Sequence, residues 1–428
     1  MFTMKSLLSS SLRNLPNGFN TRGLRQTINR IKSEYDTEYL TNPANFDHIK
    51  SNITKRKGIG DIDQVPGLVK ELNRTTDATV RENLQHQLDA VLKTIPNLTH
   101  PDVVNYGDQP KEIDSVGSKR KFDFKPKSFE ELCSILNILR TDDLGNLNGS
   151  RSYYLMNELA KMEQALVRYT VDQLRPKGFG LISVPEILPP EVIERCGMKT
   201  TGERNQVYKT LHDNLCLSGT SEMALAGHFA GKRFHVDALP IRVMAVSRCH
   251  RAELGGTKAE SGIFRVNSFT KVEMFSVCAP NQSEDMLDEF RRIEIDLFNK
   301  LNLHFKVLDM PACELGAPAY RKFDMEAWMP SRGMYGEISS CSNCTDYQAR
   351  RLDIRCTDES GHVVHAHTIN GTACAIPRML IAILENYQHE YSIDIPTELQ
   401  TYMDGKSKIL RRKVLPRCKL VRHIKGPD

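Results

Sequence analysis

Between positions 250 and 273 the sequence places Arg251 and Glu253 two residues apart, then a glycine turn at Gly255-Gly256. A returning segment follows, Arg265-Val266-Asn267-Ser268-Phe269, and then Lys271-Val272-Glu273. A guanidinium grips a phosphate or carboxylate with two parallel hydrogen bonds, and an aromatic face stacks a base. A carboxylate answers an ammonium group. Side chains of these types on two adjoining strands describe a site for a nucleotide joined to an amino acid. An Arg-x-Glu alone is more often a surface ion pair, so the weight rests on what accompanies it.

The company is extensive and in order: Gly219-Thr220-Ser221-Glu222, the run Tyr320 to Pro330, and Glu337-Ile338-Ser339-Ser340-Cys341-Ser342-Asn343-Cys344 continuing to Arg351. His367-Thr368-Ile369-Asn370-Gly371-Thr372 follows, and then Arg378, ahead of Glu385-Asn386-Tyr387-Gln388. The segment from Arg251 to Phe269 resembles motif 2 of the class II aminoacyl-tRNA synthetases. The others resemble the seryl-tRNA synthetase family, of mitochondrial type, with a synthetase-like paralogue as the nearer form. Pro185 is similar to the proline of motif 1, a dimer-forming segment.

The resemblance implies a role for each matching residue. Arg251, Glu253, Arg265, Phe269, Glu337, Ser340 and Arg378 would bind ATP or the adenylate. Within that set Phe269 would stack on adenine, Arg378 would clamp the terminal phosphates, and Glu337 and Ser340 would hold Mg2+ through ATP. Thr220, Glu222, Glu273, Asn370 and Thr372 would surround serine. ATP and Mg2+ are thus the expected cofactors. The CxxC of Cys341 and Cys344 falls inside a seryl-family segment, so no zinc is expected.

The sequence also departs from the family. Asn267-Ser268 stands where a His followed by Gln or His is usual, and Ser261-Gly262, beside Glu260, replaces an Arg-Gly. Each lost charge-assisted contact costs about 1.5 to 3 kcal/mol. Upstream, the helical arm that grips serine tRNAs is shortened. These departures lead to the expectation of a paralogue that has lost efficient serylation, with weak serine-dependent pyrophosphate exchange. It would act as an RNA- or protein-binding factor in mitochondrial translation, as a homodimer or paired with the authentic mitochondrial seryl-tRNA synthetase. The alternative is an active serine–tRNA ligase adapted to reduced tRNAs.

The elements that must position these residues follow from hydrophobic period. Gly180 to Val184, Ile241 to Ser247, Lys271 to Val277 and Leu303 to Leu308 read as strands, and Phe129 to Leu139, Tyr153 to Leu174 and Arg378 to Tyr387 as helices. The class is α+β, an antiparallel sheet with flanking helices. Ahead of it, Val65, Val69 and Leu72 form one helical stripe and Val80, Leu84, Leu88, Val91, Leu92 and Ile95 another, with Asp77 as the cap between them. That predicts a short antiparallel hairpin whose longer helix spans about 25 Å. Tyr35 to Ser51 reads as an irregular lead-in and Gly107 to Lys127 as a linker.

Domains are therefore expected at 1–33 (targeting), 34–127 (hairpin and linker), 128–404 (synthetase-like core) and 405–428 (basic tail). Before Glu34 there is no acid, while Lys5, Arg13, Arg22, Arg25, Arg30 and Lys32 alternate with serines and leucines, the composition of a mitochondrial presequence. The matrix is the expected location. Basic residues from Lys406 to Lys425 could add attraction to RNA phosphates, so mitochondrial RNA or tRNA is a candidate partner. No run approaches the roughly 18 to 20 apolar residues of a membrane span.

Overall fold

The structure is a computed structural model that describes residues 31–141, 151–202, 205–211, 214–253, 262–358 and 360–411. Residues 1–30 of the expected presequence, Ser261 and most of the basic tail lie outside the described residues. Among the described residues eight strands form the central sheet: β1 (Lys111–Val116), β2 (Gly180–Leu181), β3 (Ile241–His250), β4 (Ser268–Cys278), β5 (Phe305–Asp309), β6 (Arg321–Met329), β7 (Met334–Asn343) and β8 (His367–Ala375). Their spatial order is β1-β5-β6-β7-β8-β4-β3-β2. Neighbours run antiparallel except the edge pair β2 and β3, which is parallel.

Alternation along the strands divides the molecule. On β4, Val272 and Met274 point into the larger core, while Lys271 and Glu273 point the other way. The larger core is closed by α4 (Glu158–Leu174), α6 (Ser283–Lys300) and α7 (Ile376–Asn386). In α4, Leu159, Met162, Leu166 and Tyr169 recur every third or fourth residue and are fully buried or nearly so. The opposite face carries a smaller cluster around α5 (Ser221–Phe229) and, beside it, an open cavity.

The N-terminal unit has its own small core of Ile49, Ile53, Ile62, Val65, Leu88, Leu92 and Ile95. It consists of α1 (Phe46–Lys55) and the expected hairpin of α2 (Val65–Arg74) and α3 (Ala78–Leu92). Asp77 caps α3 by accepting from the N–H groups of Thr79 and Val80. With 15 residues, α3 is about 22 Å long. Val80, near the tip, is exposed, while Leu88 and Leu92 nearer the base are buried.

Four expectations need correction. The lead-in is helical over Phe46–Lys55, and the segment read as a linker contributes β1, whose side chains are mostly exposed because it is an edge strand. The core therefore begins before residue 128. Helix α4 starts at Glu158, because Tyr154–Leu155 is a short strand and Asn157 has a φ of +52°. Lys408–Leu410 pairs with Ser392–Asp394 and buries Ile409, so the last strand lies within the stretch assigned to the tail. Among the described cysteines all are buried except Cys313. No described helix is long and apolar enough to cross a membrane.

Candidate active site

The cavity has a volume of about 450 Å³, and every residue assigned above to ATP or serine lines it. Sheet register brings this about. Thr372 on β8 and Ala245 on β3 flank Glu273 on β4, and Phe269 pairs with Cys249 two residues before Arg251. Glu337 and Ser340 enter from β7, and Arg378 from the first turn of α7. Thr220 caps α5 by accepting from the N–H of Glu222, which fixes both at the cavity floor.

The two ends of the cavity differ in charge. At the acidic end Glu222 accepts from Gln348 Nε2 at 2.6 Å and from Asn370 Nδ2 at 3.1 Å. Burial, reinforced by nearby Glu273, pushes the Glu222 carboxyl up to about 7. Glu273 is raised by burial too, against the pull of Lys271, with which it forms a buried ion pair. The Lys271 ammonium also donates to Thr220 Oγ1 at 2.9 Å and Thr372 Oγ1 at 3.4 Å. Two carboxyls and one ammonium leave room for one further cation.

At the basic end the Arg251 guanidinium lies 5.4 Å from the Phe269 ring centre, and its Nε donates to the Gly219 carbonyl at 3.3 Å. Arg378 is 3.0 Å from a Glu337 carboxylate oxygen and 4.6 Å from the Phe264 ring. Burial alone would raise Glu337, but Arg378 and Lys322 outweigh it and hold the carboxyl below its usual range. Glu253 and Arg265 form a looser pair at 3.7 Å. An ionised carboxylate and the Ser340 hydroxyl are hard oxygen donors, and Mg2+ bound through phosphates needs only one or two protein ligands. The donor set therefore fits Mg2+ at Glu337 and Ser340.

Asn267 and Ser268 are not part of the cavity wall. Asn267 is held by its backbone, accepting from the Arg251 N–H at 2.8 Å and donating to the Arg151 carbonyl at 3.0 Å. Sequence reasoning gave no role to Lys271 and Gln348, although both stood inside quoted segments. It also missed Phe264, Ile59 and the 316–318 segment, which line the same cavity. An isolated aromatic and a Gly-Ala-Pro turn carry no signal of their own.

Residues 206–387 match the family described as tRNA synthetase class II core domain (G, H, P, S and T). The chain is 44% identical over 327 residues to the mitochondrial serine–tRNA ligase of Mus musculus, a match spanning 75% of this chain and 63% of that protein. It therefore spans less than two thirds of that relative's length. It is 40% identical over 340 residues to the serine–tRNA ligase of Treponema denticola, covering 78% and 80% of the two chains. The seryl-tRNA synthetase of Pyrococcus horikoshii complexed with ATP superposes with a TM-score of 0.75 at 31% identity, covering 92% of this chain and 91% of that one.

Proposed function

Because the chain belongs to the seryl-tRNA synthetase family, with a class II core, we propose that its cavity binds ATP and serine and joins them as seryl-adenylate, the first step of serine–tRNA ligation. The observation that carries this reading is the polarity of the cavity, with Glu222 and Glu273 at one end and Arg251 and Arg378 at the other. Serine's ammonium belongs at the acidic end, where it completes the charge balance that Lys271 leaves open. Thr220, Asn370 and Thr372 surround the rest of the amino acid. Its carboxylate then lies toward Arg251, as does the α-phosphate of ATP, with adenine on Phe269.

In the step itself a serine carboxylate oxygen bonds to the α-phosphorus and the bond to the β-phosphate oxygen breaks, releasing pyrophosphate. Arg251 neutralises the charge that builds on the α-phosphoryl oxygens, and Arg378 holds the departing phosphates. Catalysis of this kind is positioning plus electrostatics, with no protein group bonded covalently. Mg2+ held by Glu337 and Ser340 would add charge neutralisation across the phosphates.

Serine-dependent exchange of labelled pyrophosphate into ATP tests this. We expect exchange that requires serine and is lost in Arg251→Ala; no exchange together with no ATP binding would overturn it. A second reading, a non-charging factor that binds RNA or the mitochondrial synthetase, draws on the short hairpin, whose helices have 10 and 15 residues. Exchange without transfer to serine tRNA would favour it. The mitochondrial relatives and the basic, acid-free leader support a matrix location under either reading. Exposed Leu181 and Ile187 beside Pro185 support a dimer.

A further inference from the structure

The chain segments just before and just after the N-terminal hairpin, which form its two feet, converge on one short segment of the cavity wall. Before the hairpin, at the C-cap of α1, stands Arg56, 3% exposed. Its guanidinium donates to the carbonyls of Gly316 at 2.5 Å and Ala319 at 2.9 Å, and to that of Asn97 at 3.1 Å. Burial lowers its pKa to about 10, and its neighbours there are backbone carbonyls. On the descending side stands Asn97. Its backbone N–H donates to the Ala317 carbonyl at 2.9 Å, and its amide nitrogen to the carbonyls of Pro318 at 2.8 Å and Cys344 at 2.9 Å.

The segment they hold is itself part of the cavity. Gly316, Ala317 and Pro318 line it, as does Ile59 from the hairpin's own foot. On the far side Pro318 abuts Gly197, where an added Cβ would come within 2.8 Å of the proline ring. The wall is thus pinned between the hairpin feet and Gly197. A buried guanidinium that solvates converging carbonyls fixes the path of the main chain, because each carbonyl left unpaired would be costly.

We propose that Arg56 and Asn97 are positioning residues for the catalytic cavity: they clamp the 316–319 wall, so that the seating of the hairpin sets the shape of the substrate site. The clamp rests on the adenylate reading only for what the cavity holds; the mechanical link stands on the contacts themselves. A ligand that tilts the hairpin moves its two feet, and both feet act on the same wall. The hairpin thereby becomes a lever on substrate binding.

Hydrogen exchange of the full-length protein, followed in the peptide spanning 312–322, tests the clamp. Asn97→Ala is expected to speed exchange there at least 10-fold, while Asp77→Ala, which loosens the hairpin tip, leaves it unchanged. In pyrophosphate exchange, Asn97→Ala should raise the serine KM about 10-fold with kcat changed less than threefold. Arg56→Lys keeps the charge but loses the planar fork, and serves as the second variant should Asn97→Ala fail to fold. Unchanged exchange at 312–322 in a folded clamp variant would overturn the proposal, as would equal acceleration in Asp77→Ala. Wild-type protein that binds neither ATP nor serine would sink the adenylate reading, and the exchange comparison would still decide the clamp.

Discussion

Serine affinity should depend on pH through Glu222. Its carboxyl sits at about 7 because burial and Glu273 disfavour the anion, and the incoming ammonium needs that anion. About one tenth of the sites are ionised at pH 6 and about nine tenths at pH 8. If only the ionised form holds serine, the serine KM falls about 10-fold across that interval and levels off above it. Stability of the empty protein should move the other way. A carboxyl raised from its ordinary value favours the protonated fold, so that contribution is present at low pH and is lost as pH rises through about 7. Between pH 6 and pH 8 the loss is about 1 kcal/mol, and saturating serine should restore it. The assay is initial-rate pyrophosphate exchange with serine varied at each pH and ATP saturating, alongside thermal melts with and without serine. Glu222→Gln, which cannot ionise, should raise KM and flatten its pH dependence. A wild-type KM that stays flat from pH 6 to pH 8, or a Gln variant that keeps the slope, would refute the assignment of Glu222 as the ammonium's partner.

Arg378→Ala removes a charge-assisted contact to the phosphates worth about 1.5 to 3 kcal/mol, so exchange rates should drop roughly 10- to 100-fold. Ile187→Glu places a charge on the exposed apolar strip beside Pro185 and should convert a dimer into a monomer by sedimentation, without changing the fold by circular dichroism. Deleting residues 412–428 removes Arg412, Lys413, Arg417, Lys419, Arg422 and Lys425. If these touch RNA phosphates, the salt dependence of binding should flatten by up to about 4 to 5 in log-log slope. Cutting at 406 instead would also remove the buried Ile409 and unfold the C-terminal strand pair.

The sequence could be read for this site because its residues are of types that announce chemistry, and they fall on strands whose alternation is plain. Lys271 and Glu273 share a face with Phe269, and Val272 and Met274 face the core. Strand β1 was illegible for the opposite reason. An edge strand needs little apolar content, and Lys-Glu-Ile-Asp-Ser-Val reads as a solvated linker. Helix α1 was hidden because its buried face mixes Asn52 with Ile49 and Ile53, and Asn52 is there to hold Asn97 and Thr99. The 316–319 wall could not be found at all, since it works through main-chain carbonyls that every residue possesses. Asn267 and Ser268 show the converse. They depart from the family pattern, yet the backbone of Asn267 is what meets Arg251.

The central sheet ends in two unlike margins. At one, β1 presents Lys111, Glu112, Asp114 and Ser115 to solvent and breaks register between Glu112 and Asp114. Charge and a bulge there discourage another strand from docking. At the other, β2 is two residues long, with Leu181 uncovered and Ile187 exposed a few residues on. A sheet with both margins adhesive would pair head to tail into open filaments. With one margin blunted, a sheet that pairs through the other meets only its like and stops at two copies. The six residues of β1 are therefore the feature that would keep any pairing through β2 from growing further.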